Sequence, residues 1–299
     1  MKSYTQLRNL AGQLTNNSAS ANLTLMDQLI NDSIRRICGE RDWPFLQKSA
    51  TTTTTAGTQF YALPYDYDKL IDVYITNGTT KYIPLEAPSQ TFWDQLNQQT
   101  SFQSNFPEYY YIFNGQLGFY PTPSTSSLTI TYNYRRSIVD LNRADYTTGT
   151  IAATNGSTTI TGSGTTWTSP MVGRYISITV TDTAASSGDG VWYQIATVAS
   201  ATSATIVKAY NGTTITGGAF TIGQMPILPE AYQDAPVYEA AYVYYTSINP
   251  DATRATLFKT RFDDLHTRLI ADFGMKSTDP VIHDASPIIM QNPNLFVSL

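Results

Sequence analysis

The chain has 299 residues, 14% of them charged and 41% hydrophobic, with a formal net charge of -5. That length is enough for two domains and a sizeable core, and the sign of the charge argues against a non-specific nucleic-acid binder, which needs clustered Lys and Arg. Tyr is heavily used, with 21 residues, and Thr, Ser and Asn are abundant, a composition of β structure and hydrogen-bonding surfaces rather than of disorder.

Cys38 is the single cysteine, so no internal disulfide exists. It falls on an apolar helical face, where a buried, inert thiol is the ordinary outcome. The two histidines, His266 and His283, join no cluster with metal-ligand spacing, and no metal or cofactor is expected. Met1-Lys2-Ser3-Tyr4 lacks the apolar core of a signal peptide, and no stretch suits a bilayer span. The expectation is a protein made in a reducing cytosol, wherever it finally acts, with no membrane partner.

Taken in order, Tyr4 to Leu14 reads as a short helix with Leu7, Leu10 and Leu14 on one side. A longer helix follows, capped by Asn22 or Thr24 and running to about Gly39, with Leu25, Leu29, Ile30, Ile34 and Ile37 as a wide apolar stripe. Trp43-Pro44-Phe45 ends it with a bulky plug. Gln47 to Thr55 is rich in β-branched residues, and its threonine run suits an edge strand. Leu70 to Ile75, the Asn77-Gly78 turn and Tyr82 to Leu85 make a hairpin. Pro88-Ser89 opens a helix carrying Phe92, Trp93 and Leu96. Tyr109 to Phe113, Asn114-Gly115 and Gln116 to Tyr120 make a second hairpin, and Leu128 to Arg136 a last strand.

Composition changes after Asn142. Between Tyr146 and Gln224 the charged residues are Arg174, Asp182, Asp189 and Lys208, and short alternating strands recur between Asn-Gly and Gly-Asp-Gly turns. Residues 146–224 therefore read as an inserted all-β domain, sandwich or barrel, between the linkers Leu141 to Asp145 and Gly223 to Pro229. Two amphipathic helices follow. Ala231, Ala235, Tyr238, Tyr242 and Tyr245 line the first, and Phe258, Phe262, Leu265 and Leu269 the second. Asn249-Pro250-Asp251 breaks the run, Asp251 suits an N-cap, and Gly274 stands where a left-handed C-terminal residue is wanted. Two helices so briefly joined should lie antiparallel, with the N-terminal helices as partners for their apolar faces. The class is α+β: residues 1–142 with 225–274 form a discontinuous core of helices and β hairpins, 146–224 the insertion, and 275–299 an extended C-terminal arm. Pro280, Pro287 and Pro293 keep that arm from becoming helical. Its apolar clusters Val281-Ile282, Ile288-Ile289 and Leu295-Phe296-Val297 are candidate anchors for a partner.

The order of motifs carries a family likeness. Leu25-Met26-Asp27-Gln28-Leu29-Ile30-Asn31-Asp32-Ser33 leads to Arg41-Asp42-Trp43-Pro44-Phe45, then to Leu63-Pro64-Tyr65-Asp66-Tyr67-Asp68-Lys69-Leu70-Ile71. A Tyr-rich hairpin closes on Gly118-Phe119-Tyr120-Pro121-Thr122-Pro123, before Tyr132-Asn133-Tyr134-Arg135-Arg136. This resembles the head-to-tail adaptor (head-completion or tail-tubular) proteins of tailed phages, over about Met1 to Arg136 and the helices of Pro229 to Gly274. The resemblance implies a structural virion protein at the head–tail junction, a ring of copies with twelvefold symmetry. Its partners would be the portal protein, a tail nozzle or tail-tube protein, other copies of itself and tail fibres. Genomic DNA would pass through the lumen without specific binding. The insertion lies outside the common pattern.

Two other classes compete. A tail component binding receptor glycans or fibres would stack them on Trp167, Trp192, Tyr193 and Tyr210. A cell-wall hydrolase would use Glu108 as general acid, although an exposed strand-edge charge is the commoner role. Asp263-Asp264 point apart on a helix, Asp66 and Asp68 suit a turn, and Gly162-Ser163-Gly164-Thr165 lacks the Lys of a phosphate loop. The reading is therefore of a connector, not an enzyme.

Overall fold

The computed structural model describes residues 1–98, 102–182 and 186–274. The fold is α+β, with helices drawn from both ends of the chain and sheets from between them. α1 (Tyr4–Thr15) starts on a capping box: Ser3 Oγ accepts from the Gln6 backbone, and the Gln6 side chain accepts from the Ser3 backbone. α2 (Ser20–Gly39) begins earlier than its sequence suggests and has no side-chain cap. Asn22 lies inside the helix, donating to Thr15 Oγ1 and to the Asn17 carbonyl, so it fastens the α1–α2 turn.

A short 3-10 turn (Pro44–Leu46) leads into β1 (Gln47–Thr53), β2 (Phe60–Ala62), β3 (Tyr67–Asn77), β4 (Thr80–Tyr82) and β5 (Leu85–Glu86). Then come α3 (Gln90–Leu96), β6 (Gln103–Ser104), β7 (Tyr109–Phe113), β8 (Gln116–Tyr120), β9 (Thr122–Pro123) and β10 (Thr129–Arg136). Two four-stranded sheets result, in the orders β1-β10-β3-β4 and β2-β8-β7-β5, while β6 and β9 pair separately. Their inward faces bury Tyr61, Val73, Ile75, Leu117, Phe119, Ile130, Tyr132 and Tyr134 in one cluster. α3 covers the outer face of the second sheet. Ser89 caps it, and Trp93 stacks on Tyr111 and meets Phe60 edge-on.

The next unit contains β11 (Thr150–Ala153), β12 (Thr159–Ser163), β13 (Tyr175–Ile178), β14 (Trp192–Ser200), β15 (Ser203–Ile206), β16 (Ile215–Gly218) and β17 (Phe220–Gly223). Their order is β16-β11-β12-β15-β14-β13-β17. The two end strands are separated by Ala219 alone, and Gly217, at φ +70, eases the bend. β17 also exchanges both backbone hydrogen bonds of Ile222 with Tyr146, just before β11. The sheet thus curls until its ends are one continuous segment. The unit is strongly curved and barrel-like, with Ile151, Ile160, Trp167, Ile176, Ile195, Ile206, Tyr210 and Phe220 inside.

α4 (Ala235–Val243), a π turn (Tyr244–Ile248) and α5 (Ala252–Phe273) complete the helical layer. The run that reads as one helix is thus divided: a 3-10 turn at Glu230–Tyr232 precedes α4, and Pro236 sits in its first turn. α5 folds back on α4, so that Phe258 stacks on Tyr238 and Tyr245 while Phe273 meets Tyr232. Asp251 caps α5 by accepting from the Arg254 backbone at 3.0 Å. Gly274 is extended at φ -63, not left-handed, so it simply leads the chain off the helix. Leu7, Met26, Ile30, Ile34, Ile37, Ala240, Tyr245, Phe258, Phe262 and Leu269 form a single buried cluster. Burying each large side chain contributes about 1.5–3 kcal/mol. Cys38 is buried there, its thiol pushed up to about 12 by desolvation.

The barrel joins this layer through two adjacent segments. Gln224 accepts from the Asn142 and Arg143 backbones and donates to the Asp140 carbonyl. Arg174, buried, donates to the Ala144 and Ile222 carbonyls at 2.7 and 2.8 Å. Ser3 Oγ donates to Asp145 at 2.7 Å, and the Tyr4 backbone to the Gln224 carbonyl at 2.8 Å.

The close approach of α3 to β8 depends on Gly118. A Cβ there would stand 2.7 Å from the Phe60 ring and 2.8 Å from Trp93, below any ordinary contact. Gly118→Ala should destabilise the chain by about 1–3 kcal/mol through overpacking. A lowered Tm with altered Trp93 emission is the expected result.

Candidate interaction surfaces

The polar groups that stand out in the sequence are largely engaged in structure. Arg135 pairs with Asp68 at 2.6 Å and with Asp42 at 3.3 Å, and Arg136 donates to the Phe45 carbonyl. His266 meets Glu40, the residue that follows α2, at 2.7 Å and stacks on Phe262, joining α5 to the end of α2. Asp263 and Asp264 pair separately, with Lys259 and Arg268. Glu108 is exposed. Among the described residues no group of His, Cys, Asp and Glu could hold a metal ion.

The aromatic set proposed for glycans is mostly interior. Trp167, Tyr193 and Tyr210 are 3%, 6% and 1% exposed, packed in the interior of the curved sheet. Trp167 packs edge-on against Phe220, and Tyr193 against Tyr210. The Tyr193 hydroxyl donates to Asp189 at 2.5 Å and accepts from the Asn211 backbone. These rings hold loops together and have no face to offer a sugar, and Trp192, half-buried, is the exception. The anchors Val281, Ile282, Ile288, Ile289, Leu295, Phe296 and Val297 lie outside the described residues.

Two surface features carry more weight. The first is an apolar rim where the two sheets meet. Ile83, on the connection from β4 to β5, and Leu85, the first residue of β5, are 68% and 65% exposed. Phe102 and Phe106 are also exposed, and the Phe106 ring lies 4.4 Å from that of Tyr82, whereas exposed Phe113 stands at the far end of β7 from Tyr109, the residue paired with Leu85. β4 and β5 are each the last strand of a sheet, so the rim borders two open edges. Exposed apolar groups concentrated in one region mark an interaction site more often than single ones do.

The second is at the opposite end of the first sheet, where β1 is an edge strand, five of its seven residues exposed and all but Lys48 uncharged. A slot of about 270 Å³ runs beside it, walled by Lys48, Ala50 and Thr52 on one side and Leu63, Pro64 and Tyr65 on the other. Tyr132 and Tyr134 line it too. At one end Asp66 accepts from Lys48 Nζ at 2.7 Å and from the Tyr134 hydroxyl at 2.6 Å. Asp66 therefore does more than stabilise a turn: it ties β1 to β10. The hydroxyl of Tyr132, only 2% exposed, has no hydrogen-bond partner among the described residues.

The family model of the SU10 adaptor protein matches residues 2–154. That is more than half of the 299 residues, and it spans α1, α2, both open sheets and the first barrel strand. This chain belongs to the SU10 adaptor protein family. It is a phage head-to-tail adaptor, a structural component of the virion. No curated protein matches the adaptor. No helix among its described residues is long and apolar enough to cross a membrane.

In this adaptor, burial alone would raise the Asp66 carboxyl, but the hydrogen bonds from Lys48 and Tyr134 outweigh it and hold the group below the ordinary 3.8. A folded-state value below the unfolded one stabilises above the unfolded carboxylate range, and the gain is lost as pH falls through the folded value. Asp66→Asn should thus cost about 1–3 kcal/mol at pH 7. The gap from wild type should close below pH 4. Urea melts of both chains across that range check the sign.

Proposed function

We propose that the adaptor forms a closed ring of identical copies between the portal and the tail, with the genome passing through its lumen. The observation that carries this is the apolar rim at Ile83, Leu85, Phe102 and Phe106, exposed beside the edge strands β4 and β5. A rim on one side and an edge strand on the other suit a head-to-tail contact, and such contacts close into rings when the rotation permits. With a net charge of -5 the lumen releases few counterions and holds DNA without specific binding. The role is structural, with no catalytic step and no cofactor. The portal protein and a tail nozzle or tail-tube protein are the neighbours above and below, twelvefold symmetry follows the resemblance, and tail fibres are a further partner. The segment 275–299 serves as an arm that reaches a neighbouring subunit or the portal.

The test is electron microscopy of the purified adaptor mixed with its portal. Rings seated coaxially on the portal are the expected outcome. A portal left bare, with the adaptor monomeric, overturns the reading.

Residues 146–224 are proposed as an inserted domain that ring assembly does not need. Asp145 and Gly223 are neighbours: a Cβ on Gly223 would be 3.2 Å from Asp145 Oδ1. Joining them directly removes the barrel but keeps Gln224 and its hydrogen bonds to Asp140, Asn142 and Arg143. The shortened chain should stay soluble and still form rings. Aggregation or loss of rings would make the barrel part of the core.

A further inference from the structure

The first sheet has an open strand at each side, and the two are matched to each other. Its order is β1-β10-β3-β4, and every pairing within it is antiparallel. With four strands of alternating sense, β1 and β4 run in opposite directions. Setting β4 of one copy alongside β1 of the next therefore makes an antiparallel pair and continues the alternation. The backbone groups are in place. The Thr54 N–H donates to the Leu128 carbonyl at 2.8 Å, so alternation leaves the N–H and C=O of Ser49, Thr51 and Thr53 facing the open edge. In β4, Thr80 closes the hairpin opposite Asn77, and Lys81 presents its backbone to the open side. Pro84 has no N–H, so pairing along β4 stops at Ile83.

The side chains agree with the strands. Tyr82 lies opposite Ile75, which is buried between the sheets, so Tyr82 projects on that inner face, with the Phe106 ring 4.4 Å from its own. Ala50 and Thr52 of β1 lie opposite Tyr132 and Ile130 and share the same inner face. Beside them is the slot of about 270 Å³, backed by Leu63, Pro64 and Tyr65. Tyr65, at 94% exposure, leaves a large ring uncovered at its mouth. A sheet continued from one copy to the next brings the projecting aromatic pair onto this slot. Charge is matched as well. Glu108, two residues from Phe106, is exposed and has no ion-pair partner among the described residues. Lys48, the charged residue of β1, keeps 41% of its side chain exposed.

We propose that β4 of one copy pairs antiparallel with β1 of the next, joining the first sheets of successive copies into one continuous band, with Tyr82 and Phe106 seated at the neighbour's slot. The pairing rests on the ring proposed above and specifies how its copies hold one another. Backbone hydrogen bonds supply affinity and the side-chain slot sets register, because a slip of one residue would turn Tyr82 to the opposite face. The contact is head-to-tail, each copy using two different edges. It also covers both edges of the sheet, which native folds otherwise protect by other means.

The experiment uses the full chain carrying Lys81→Cys together with Ser49→Cys, Thr51→Cys or Thr53→Cys, three positions on the same face of the sheet as Lys81. Within one chain β4 and β1 are three strand spacings apart, about 14 Å. A disulfide needs Cα atoms within about 7 Å, so none can form inside a subunit. Mild oxidation of assembled rings should link neighbouring chains in at least one of the three variants. Rings that form, as micrographs show, but link in none of them overturn the pairing and leave the ring reading standing. Chains that form no rings even as wild type overturn the ring reading and the pairing with it. A second variant needs no cross-link. Thr51→Pro removes an N–H that faces the open edge and spares the bonds to β10. It should keep the cooperative urea transition and lose the rings. A folded Thr51→Pro chain that assembles like wild type also overturns the pairing.

Discussion

Neither end of this chain can bury its own apolar stripe. α1 and α2 do not bury their apolar stripes on each other alone, and α4 packs on both α2 and α5, so that Ala235, Ala240 and Ala241 share one core with Ile30 and Ile34. The two halves close one core, and the remaining elements adapt to that closure. Polar groups then lock the junction. The Tyr245 hydroxyl donates to the Leu14 carbonyl at 3.0 Å, Arg254 donates to that hydroxyl, and Asn31 exchanges two hydrogen bonds with the Leu141 backbone. Each is a modest contribution, but each satisfies a group that would be costly to bury alone.

The β material meets the edge problem in two ways. The curved sheet of residues 150–223 makes its two end strands one bent segment, which shortens the edge either strand presents. Its attachment is narrow: Gln224, Arg174 and Ser3 stitch two neighbouring backbone segments to the start of α1. The two open sheets keep their edges. Their shared interior is well closed, yet β1 at one side and β4 with β5 at the other stay available. An adaptor has to be matched on several sides at once, and unsatisfied edges next to apolar side chains suit that task.

Much of the layout is legible in the sequence because it depends on local rules. Helical periodicity marks the stripes of α2 and α5. Asn77-Gly78 and Asn114-Gly115 mark hairpins because their left-handed backbone suits tight turns; Gly78, Asn114 and Gly115 all have positive φ. Asp251 is visible as a cap because its side chain acts three residues away. Where local rules compete with packing they fail. Asn22 looks like a cap but is drawn into the α1–α2 turn, and the run through Tyr245 is divided by a π turn that turns Tyr244 and Tyr245 inward together.

By itself the sequence determined the α+β class, the adaptor likeness, the edge character of the threonine-rich strand and the change in composition after Asn142. All of these rest on residue type and spacing. Tertiary structure alone decided which aromatics are available. Trp167, Tyr193 and Tyr210 look like a binding set in one dimension, but the curled sheet and the loops that cap it bury all three in one cluster. It also decided that Asp66, 18 residues from Lys48 and 68 from Tyr134, would become the tie between β1 and β10. No local pattern encodes which distant strands share a face, because that depends on how two sheets pack to bury Tyr132 and Ile75.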